Sequence, residues 1–388
     1  MVTSQLARGP AAPGLTEPRA SIASWHVLPL DAALRLDAES WEHSARSAGS
    51  PFQHLGWVRA WRTTVGRLAA NALVFARRDD GGVVRALVPL MRSRRRVGAA
   101  RASVLTWAGD DAGCPDHLEI PADSDRAIDE LAEELVLARW DILSLRNLRQ
   151  DAPHASRLAS RLSKLGLHVA TTVGEPCPTI SLPDSWDKYL ATQSSSRRQT
   201  IRRKERKLER EHELIIRDYD AHTLDDGWRV LSALHSERWS GATAFTPDVA
   251  EMHREFARSL AARGALWLTA LELDGVAVAA WYGFTDGDTV FFFQSGRSLD
   301  HQHDSVGQVL MGRMIRRAIE RGYRRFDFLR GDEPYKASWT SEQRTTWTLI
   351  VTRPGARGRW VRAQQRLDTI VRLSRRRVGR MLRPRRSR

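Results

Sequence analysis

Residues Ala265 to Trp339 carry an order of elements that few folds can satisfy. Two apolar runs, ALWLTALEL and VAVAAWYGF, meet at Asp274-Gly275, a dipeptide suited to the left-handed positions of a tight hairpin. A third apolar run, Thr289 to Ser295, follows a second turn at Asp286-Gly287-Asp288. A polar loop rich in Asp and His comes next. Val309 to Arg321 then places Val309, Leu310, Met314, Ile315, Ala318 and Ile319 on one helical face. Gly322 ends that helix, and Tyr323 to Leu329 reads as a further strand. Two strands joined by a helix form a parallel crossover. Ligands of such sheets bind beyond the carboxyl ends of the strands. Polar residues gather at those ends: Gln294, Ser295 and Gly296 after one strand, and Gly331-Asp332-Glu333-Pro334-Tyr335-Lys336 after the other.

The first half of the chain repeats this order. Asn71 to Ala76 and Val83 to Met91 flank the turn Asp79-Asp80-Gly81-Gly82; Arg101 to Trp107 is a strand, Gly109 to Gly113 an acidic loop, Ser124 to Ala138 a helix and Asp141 to Leu145 a strand. The segments DILSLRNLRQ and FDFLRGDEPY occupy matching places. We therefore expect an α/β protein of two tandem mixed-sheet units with flanking helices. Helices are expected at Leu30 to Ser47, His54 to Val65, Asp151 to Leu165, Ser194 to Glu213, Leu224 to Trp239 and Pro247 to Arg263. Short strands are expected at Thr179 to Leu182 and Arg344 to Thr352. The expected partition is a disordered N-terminus (1–24), a first unit (25–178), a second (179–352) and a tail (353–388).

Charge separates the tail from the body. The net charge of the 388 residues is +15, yet Arg353 to Arg388 holds 14 arginines and one acid, Asp368. The body is thus near +2. Trp360, Leu367, Ile370, Val371, Val378, Met381 and Leu382 recur at helical spacing within the tail, which reads as a basic amphipathic helix. No run reaches the roughly 18 apolar residues of a membrane span, and no signal-like apolar segment opens the sequence. The two cysteines, Cys114 and Cys177, form no metal or disulfide framework. These features lead us to expect a cytoplasmic protein, peripheral at the inner membrane face.

The order of elements, with LHSERW at 234–239, FFFQSG at 291–296, SVGQVLMGRMIRRAIERG at 305–322 and FDFLRGDEPYKASW at 326–339, resembles the GNAT acyltransferase superfamily. Within it, the chain resembles the CelD/BcsL-type branch, related to the Fem peptidyltransferases that also carry two GNAT-like units. In the first half, PFQHLGWVRAW, LVPL and WDILSLRNL share the likeness, which spans residues 25 to 352. The resemblance implies an acyl-CoA co-substrate, with acetyl-CoA the expected donor, and no metal. The superfamily's pyrophosphate signature, Gln/Arg-x-x-Gly-x-Gly/Ala, is represented here by Gly307 alone.

Several residues are candidates for the site. Ser305-Val306-Gly307-Gln308 has the Ser-x-x-Gln form of a capping box. It reads either as an ordinary cap or as a helix N-terminus offering amides to phosphate; the resemblance favours the second, with Gln294 and Ser295 beside it. Lys336 is one of five lysines against 56 arginines. It reads as a compact cation facing a phosphate or oxyanion, or as a surface lysine ahead of a helix. The resemblance implies Tyr335 as the acid for the departing thiolate; Asp332 or Glu333 reads as a base for the acceptor, and Asp332 reads equally as a turn residue after Gly331. His235, Arg238 and Trp239 are candidates to line an acceptor pocket, and Arg238 reads equally as an ion-pair partner of Glu237 or Asp248. Asp327, alternating with Phe326 and Phe328, suggests a buried network. The basic helix 194–213 reads as a solvated link or as a phosphate contact.

The expected function is transfer of an acyl group from acyl-CoA to an amine or hydroxyl of a cell-envelope or exopolysaccharide-related acceptor, a small molecule or lipid-linked glycan. The tail would meet an anionic membrane, and nucleic acid is disfavoured as a partner. Two alternatives stand beside this: a Fem-like transferase using aminoacyl-tRNA, and a non-catalytic scaffold of an envelope polysaccharide synthase.

Overall fold

Hydrophobic runs separated by turn residues become strands, and amphipathic segments become the helices that cover them. The computed structural model describes residues 24–97, 100–110, 113–238, 245–301, 303–355 and 359. The first unit runs β1 (Ser24–Pro29), α1 (Leu30–Ala33), α2 (Ala38–Ala48), α3 (Leu55–Thr63), β2 (Ala72–Arg78), β3 (Val84–Val97), β4 (Ala100–Trp107), α4 (Asp125–Leu137) and β5 (Ile142–Leu148). Next come α5 (Pro153–Lys164), β6 (His168–Ser181), α6 (Trp186–Thr192) and α7 (Ser195–Glu211). The second unit comprises β7 (Leu214–Tyr219), α8 (Leu224–Arg238), α9 (Pro247–Ala262), β8 (Leu266–Leu273), β9 (Val276–Asp286), β10 (Thr289–Arg297), α10 (Val306–Glu320) and β11 (Arg325–Asp327). A short helix, α11 (Pro334–Ala337), and a last strand, β12 (Gln343–Thr352), follow it in the chain.

The twelve described strands form one sheet in the order β1-β2-β3-β4-β5-β12-β6-β11-β10-β9-β8-β7. Each half is an antiparallel meander ending in a parallel pair, β4 with β5 and β10 with β11. The expected two tandem units are therefore present. Their last strands are exchanged. β6, which follows the first unit, pairs with β11, while β12 at the end of the second pairs with β5; β6 and β12 join each other at the centre. The boundary expected at 178/179 thus falls inside β6, and β12 lies outside the unit to which the sequence assigned it.

Other expectations shift for local reasons. The single helix expected over Leu30–Ser47 is two, because Asp37 accepts from Ser40 N at 2.8 Å and caps a new start. The strand expected over Tyr323–Leu329 shortens to Arg325–Asp327. The short strand at Thr179 extends back to His168, through Pro176 and Pro178, whose ring nitrogens cannot donate to the ladder. Strands β1 and β7 and helix α6 carry too little apolar periodicity to be read from sequence. Arg353 belongs to the body: its guanidinium stacks on Trp140 and donates to the carbonyls of Trp140 and Val136. The expected disordered N-terminus, and the tail apart from 353–355 and 359, lie outside the described residues.

One core joins the units. Trp57 meets Phe256 edge to face at 5.1 Å, and Phe52 meets Phe284 at 5.6 Å. Helices α3 and α9 touch at Gly56, where a Cβ would lie 2.0 Å from Ser259 Oγ. A second core, on the other face of the second unit's sheet, packs α6, α7 and α10 over Trp281, Phe292 and Phe326.

Candidate functional site

The site lies where two strands part. β10 and β11 pair only over Thr289–Phe291 and Arg325–Asp327. β10 then continues to Arg297, through a register shift between Phe292 and Gln294, a bulge of the kind that redirects side chains. β11 has already turned away. A cleft of about 220 Å³ opens over the free stretch of β10. Its walls are Ala280 and Trp281 of β9, Ser295 to Arg297 of β10, Ser305 to Gln308 with Leu310 and Met311 at the head of α10, and Tyr335 and Trp339 opposite. Arg238 and His301 complete the rim.

The cleft therefore unites much of what the sequence singled out: Arg238, Ser295, Ser305, Val306, Gly307, Gln308 and Tyr335. The first amides of a helix have no intrahelical partner, and Val306 and Gly307 stand at that position. Gly307 is not demanded by the fold, since a Cβ there would meet only Arg297 Cδ at 3.6 Å. Its bareness keeps the helix end open. Cations surround the opening. Arg238 donates to Ser295 Oγ at 2.8 Å. From α7, itself capped by Ser194, Lys204 donates to Gln308 Oε1 at 2.8 Å and Lys207 pairs with Asp304 at 2.8 Å. The α7 helix thus borders the site rather than merely linking units. Tyr335 is half-buried, with the Arg238 guanidinium 5.7 Å above its ring. Burial, reinforced by the charge of Glu333, pushes its phenol pKa up, so the hydroxyl keeps a proton to donate at neutral pH.

Other candidates are placed elsewhere. The capping box does not form: Ser305 is left-handed, with φ 60°, and its side chain caps nothing, while the Gln308 side chain turns to Lys204. Gln294 is outside the cleft and accepts from Ser295 N at 3.0 Å. Lys336 does not face the cleft. It is buried, donating to the carbonyl of Arg330 at 2.8 Å and pairing with Glu333 at 2.9 Å. That makes it a brace for the loop, not an oxyanion contact, because the helical turn of α11 points it back under the chain. Glu333 and Asp332 are exposed. His235 is buried against Phe245, 5.3 Å between rings; burial, then the charge of Arg238, lowers its pKa. Only Arg238 of that pair reaches the cleft. Trp239 lies outside the described residues. Sequence pattern alone does not single out Arg297, Trp281 and Trp339; the available signal is the arginine that ends the run FFFQSGR at the cleft edge of β10. Asp327 is paired as its alternation suggested, with His117 at 3.1 Å. Among the described residues no cluster of His, Cys, Asp and Glu could hold a metal, and no helix is long and apolar enough to cross a membrane.

Residues 195–337 match the family model described as an acetyltransferase (GNAT) domain. No curated protein matches the sequence. Among solved structures, FemX is similar with a TM-score of 0.55 at 11% identity, covering 82% of this chain and 96% of its own. L-PGS from Bacillus licheniformis gives 0.47 at 12% identity over 89% and 97%. A tandem GNAT protein from the clavulanic acid biosynthesis pathway gives 0.42 at 12% identity over 86% and 100%. Residues 195–337 are thus similar to an acetyltransferase (GNAT) domain, and the fold as a whole is similar to that of FemX.

Proposed function

We propose that the second unit transfers an acyl group, acetyl first among them, from acyl-CoA to an amine or hydroxyl. The observation that carries this is the cleft between the diverging strands, headed by the bare N-terminus of α10 and rimmed by Arg238 and Arg297. Amides and cations suit a pyrophosphate, while Trp281, Leu310, Met311 and Trp339 suit the apolar arm of a thioester ligand. In the reaction the acceptor heteroatom bonds to the thioester carbonyl carbon and loses its proton. The C–S bond breaks, and the thiolate takes a proton from Tyr335, a positioned acid worth about 10²–10⁴ in rate. Asp332, exposed and in no ion pair among the described residues, is the candidate acceptor-side base.

The test is a pair of variants. Gly307→Ala has room and should bind acetyl-CoA like wild type in calorimetry. Gly307→Glu puts a carboxylate at the phosphate position and should abolish the heat of binding without lowering the unfolding temperature. Binding that survives Gly307→Glu removes this helix end from the donor site.

For the acceptor we propose an envelope or exopolysaccharide-related compound, on the CelD/BcsL-type resemblance of LRGDEPYK. The basic tail beyond Gly355 would bring the enzyme to an anionic leaflet, where each basic residue contributes roughly 1 kcal/mol. Because Arg353 serves the body, the informative truncation follows Gly355. It should lose co-sedimentation with anionic liposomes, and equal sedimentation would dismiss the tail as an anchor.

A further inference from the structure

The cleft exists because β11 leaves β10 at one point; β6 carbonyls hold Phe328 N and Gly331 N in that departing stretch, and side chains of the first unit hold the residues around them. Leu329 is held left-handed, φ 55°, and its amide donates to Asp327 Oδ1 at 2.7 Å. A leucine rarely adopts this region unless its surroundings over-determine it. Here they do. Asp327 Oδ2 meets His117 Nε2 at 3.1 Å. Asp116 takes the next residue twice, through the Arg330 amide at 3.0 Å and through Arg330 Nε at 2.9 Å. The rest of the guanidinium goes to the same unit, to Pro115 O at 2.9 Å and Asn147 Oδ1 at 3.3 Å. Asp116, His117 and Asp327 are each at most 4% exposed.

The loop that supplies these groups is itself fixed. In the first unit the gap corresponding to the cleft, between the ends of β4 and β5, is filled by this loop. Leu118 N donates to Asn147 O and Arg149 N to Leu118 O, both at 2.9 Å, bridging Leu118 to Leu148. Cys114, His117 and Asn147 are left-handed as well. Four of the six described non-glycine residues with positive φ therefore gather around one contact between units.

We infer that Asp116 and His117 of the first unit are positioning residues for the second unit's donor cleft: by holding Asp327, Leu329 and Arg330 they set the divergence of β10 and β11 into which the acyl-CoA binds. The first unit, its own gap closed, acts as a fixed jaw for the second. The backbone they hold runs directly into Tyr335, since Lys336 ties back to Arg330 O. The inference rests on the acyl-CoA reading for its ligand but not for its geometry.

The experiment uses the full chain, acetyl-CoA as probe, and hydrogen exchange of the ligand-free protein. Asp116→Asn and His117→Asn, the latter tolerant of positive φ, should fold. Each should bind acetyl-CoA at least about tenfold more weakly, with amides of Phe328 to Gly331 exchanging faster. Asp116→Leu should lower the unfolding temperature, and Asp116→Leu/Arg330→Met should restore it, since replacing both partners removes the orphaned charge; affinity should stay low. Wild-type affinity in the asparagine variants, or affinity restored along with stability in the double variant, overturns the inference. If wild type itself does not bind acetyl-CoA, the donor reading fails, and unchanged exchange at Phe328 to Gly331 in the variants would then refute the jaw independently.

Discussion

Gly296 offers a perturbation whose size follows from the structure. It sits in β10 beneath α8, and a Cβ there would lie 2.4 Å from His235 N, 2.5 Å from the Leu234 carbonyl carbon and 2.8 Å from Leu234 Cβ. The two nearest are backbone atoms, so no flexible side chain can yield. Ordinary contact begins near 3.4 Å, so in Gly296→Ala the helix must retreat by about 1 Å, an overpacking that costs roughly 1–3 kcal/mol. At about 2–4 °C per kcal/mol for a domain of this size, the unfolding temperature should fall by several degrees. Function should suffer too. Arg238 is one turn further along α8, and its 2.8 Å bond to Ser295 would stretch to about 3.8 Å, beyond hydrogen-bond range. The cleft then loses a fixed cation, and acetyl-CoA affinity should drop. Thermal unfolding and calorimetric titration read both effects. An unshifted unfolding temperature with unchanged affinity would show that α8 is not clamped to β10 and refute the argument.

Two further expectations separate chemistry from support. Tyr335→Phe should leave folding and acetyl-CoA binding intact and cut turnover by about 10²–10⁴, whereas Lys336→Met should lose roughly 1–3 kcal/mol of stability by orphaning buried carbonyls; turnover retained by Tyr335→Phe would disqualify it as the acid. The third concerns pH. His54 is buried where the units meet, between Glu42 and Asp286, with Arg263 close by. Burial draws its pKa down, but the hydrogen bonds to Asp286 and Glu42 outweigh that and leave it raised. The folded state thus holds the proton more tightly, so the contribution is complete below about pH 6.5 and is lost as pH rises through the raised value. The unfolding temperature should decline over that alkaline interval, and His54→Gln should shallow the decline. His117, also raised because Asp327 and Asp116 outweigh its burial, leaves a residual slope. An unaltered slope in His54→Gln would count against the interface role.

Local chemistry made the units legible. Asp274 and Gly275, both left-handed in the structure with φ 52° and 82°, are the hairpin their residue types dictate. The helix read at Val309 to Arg321 forms one turn earlier, at Val306, and its head does frame the cleft. Repeated order of elements was enough to expect two units, because side-chain period and turn residues are properties of short windows.

Partnership across hundreds of positions was not legible. Nothing in QRTTWTLIVT says that β12 should complete the first unit, or that Pro176 and Pro178 sit in a long strand whose carbonyls accept from Gly331 and Phe328. Strand exchange joins sheet edges that are adjacent only in the folded molecule. The same holds for charge. Lys336 is unusual in an arginine-rich chain and so drew a catalytic expectation, yet its partners are the carbonyls beneath it. Asp116 lies 214 residues from Arg330, beyond the reach of any periodicity. The sequence by itself determined most of the strands and helices, their twofold order and the place of the helix head that frames the cleft. The tertiary structure decided which side chains face that cleft and which hold it open, because burial and ion pairing are settled only when distant segments close on one another.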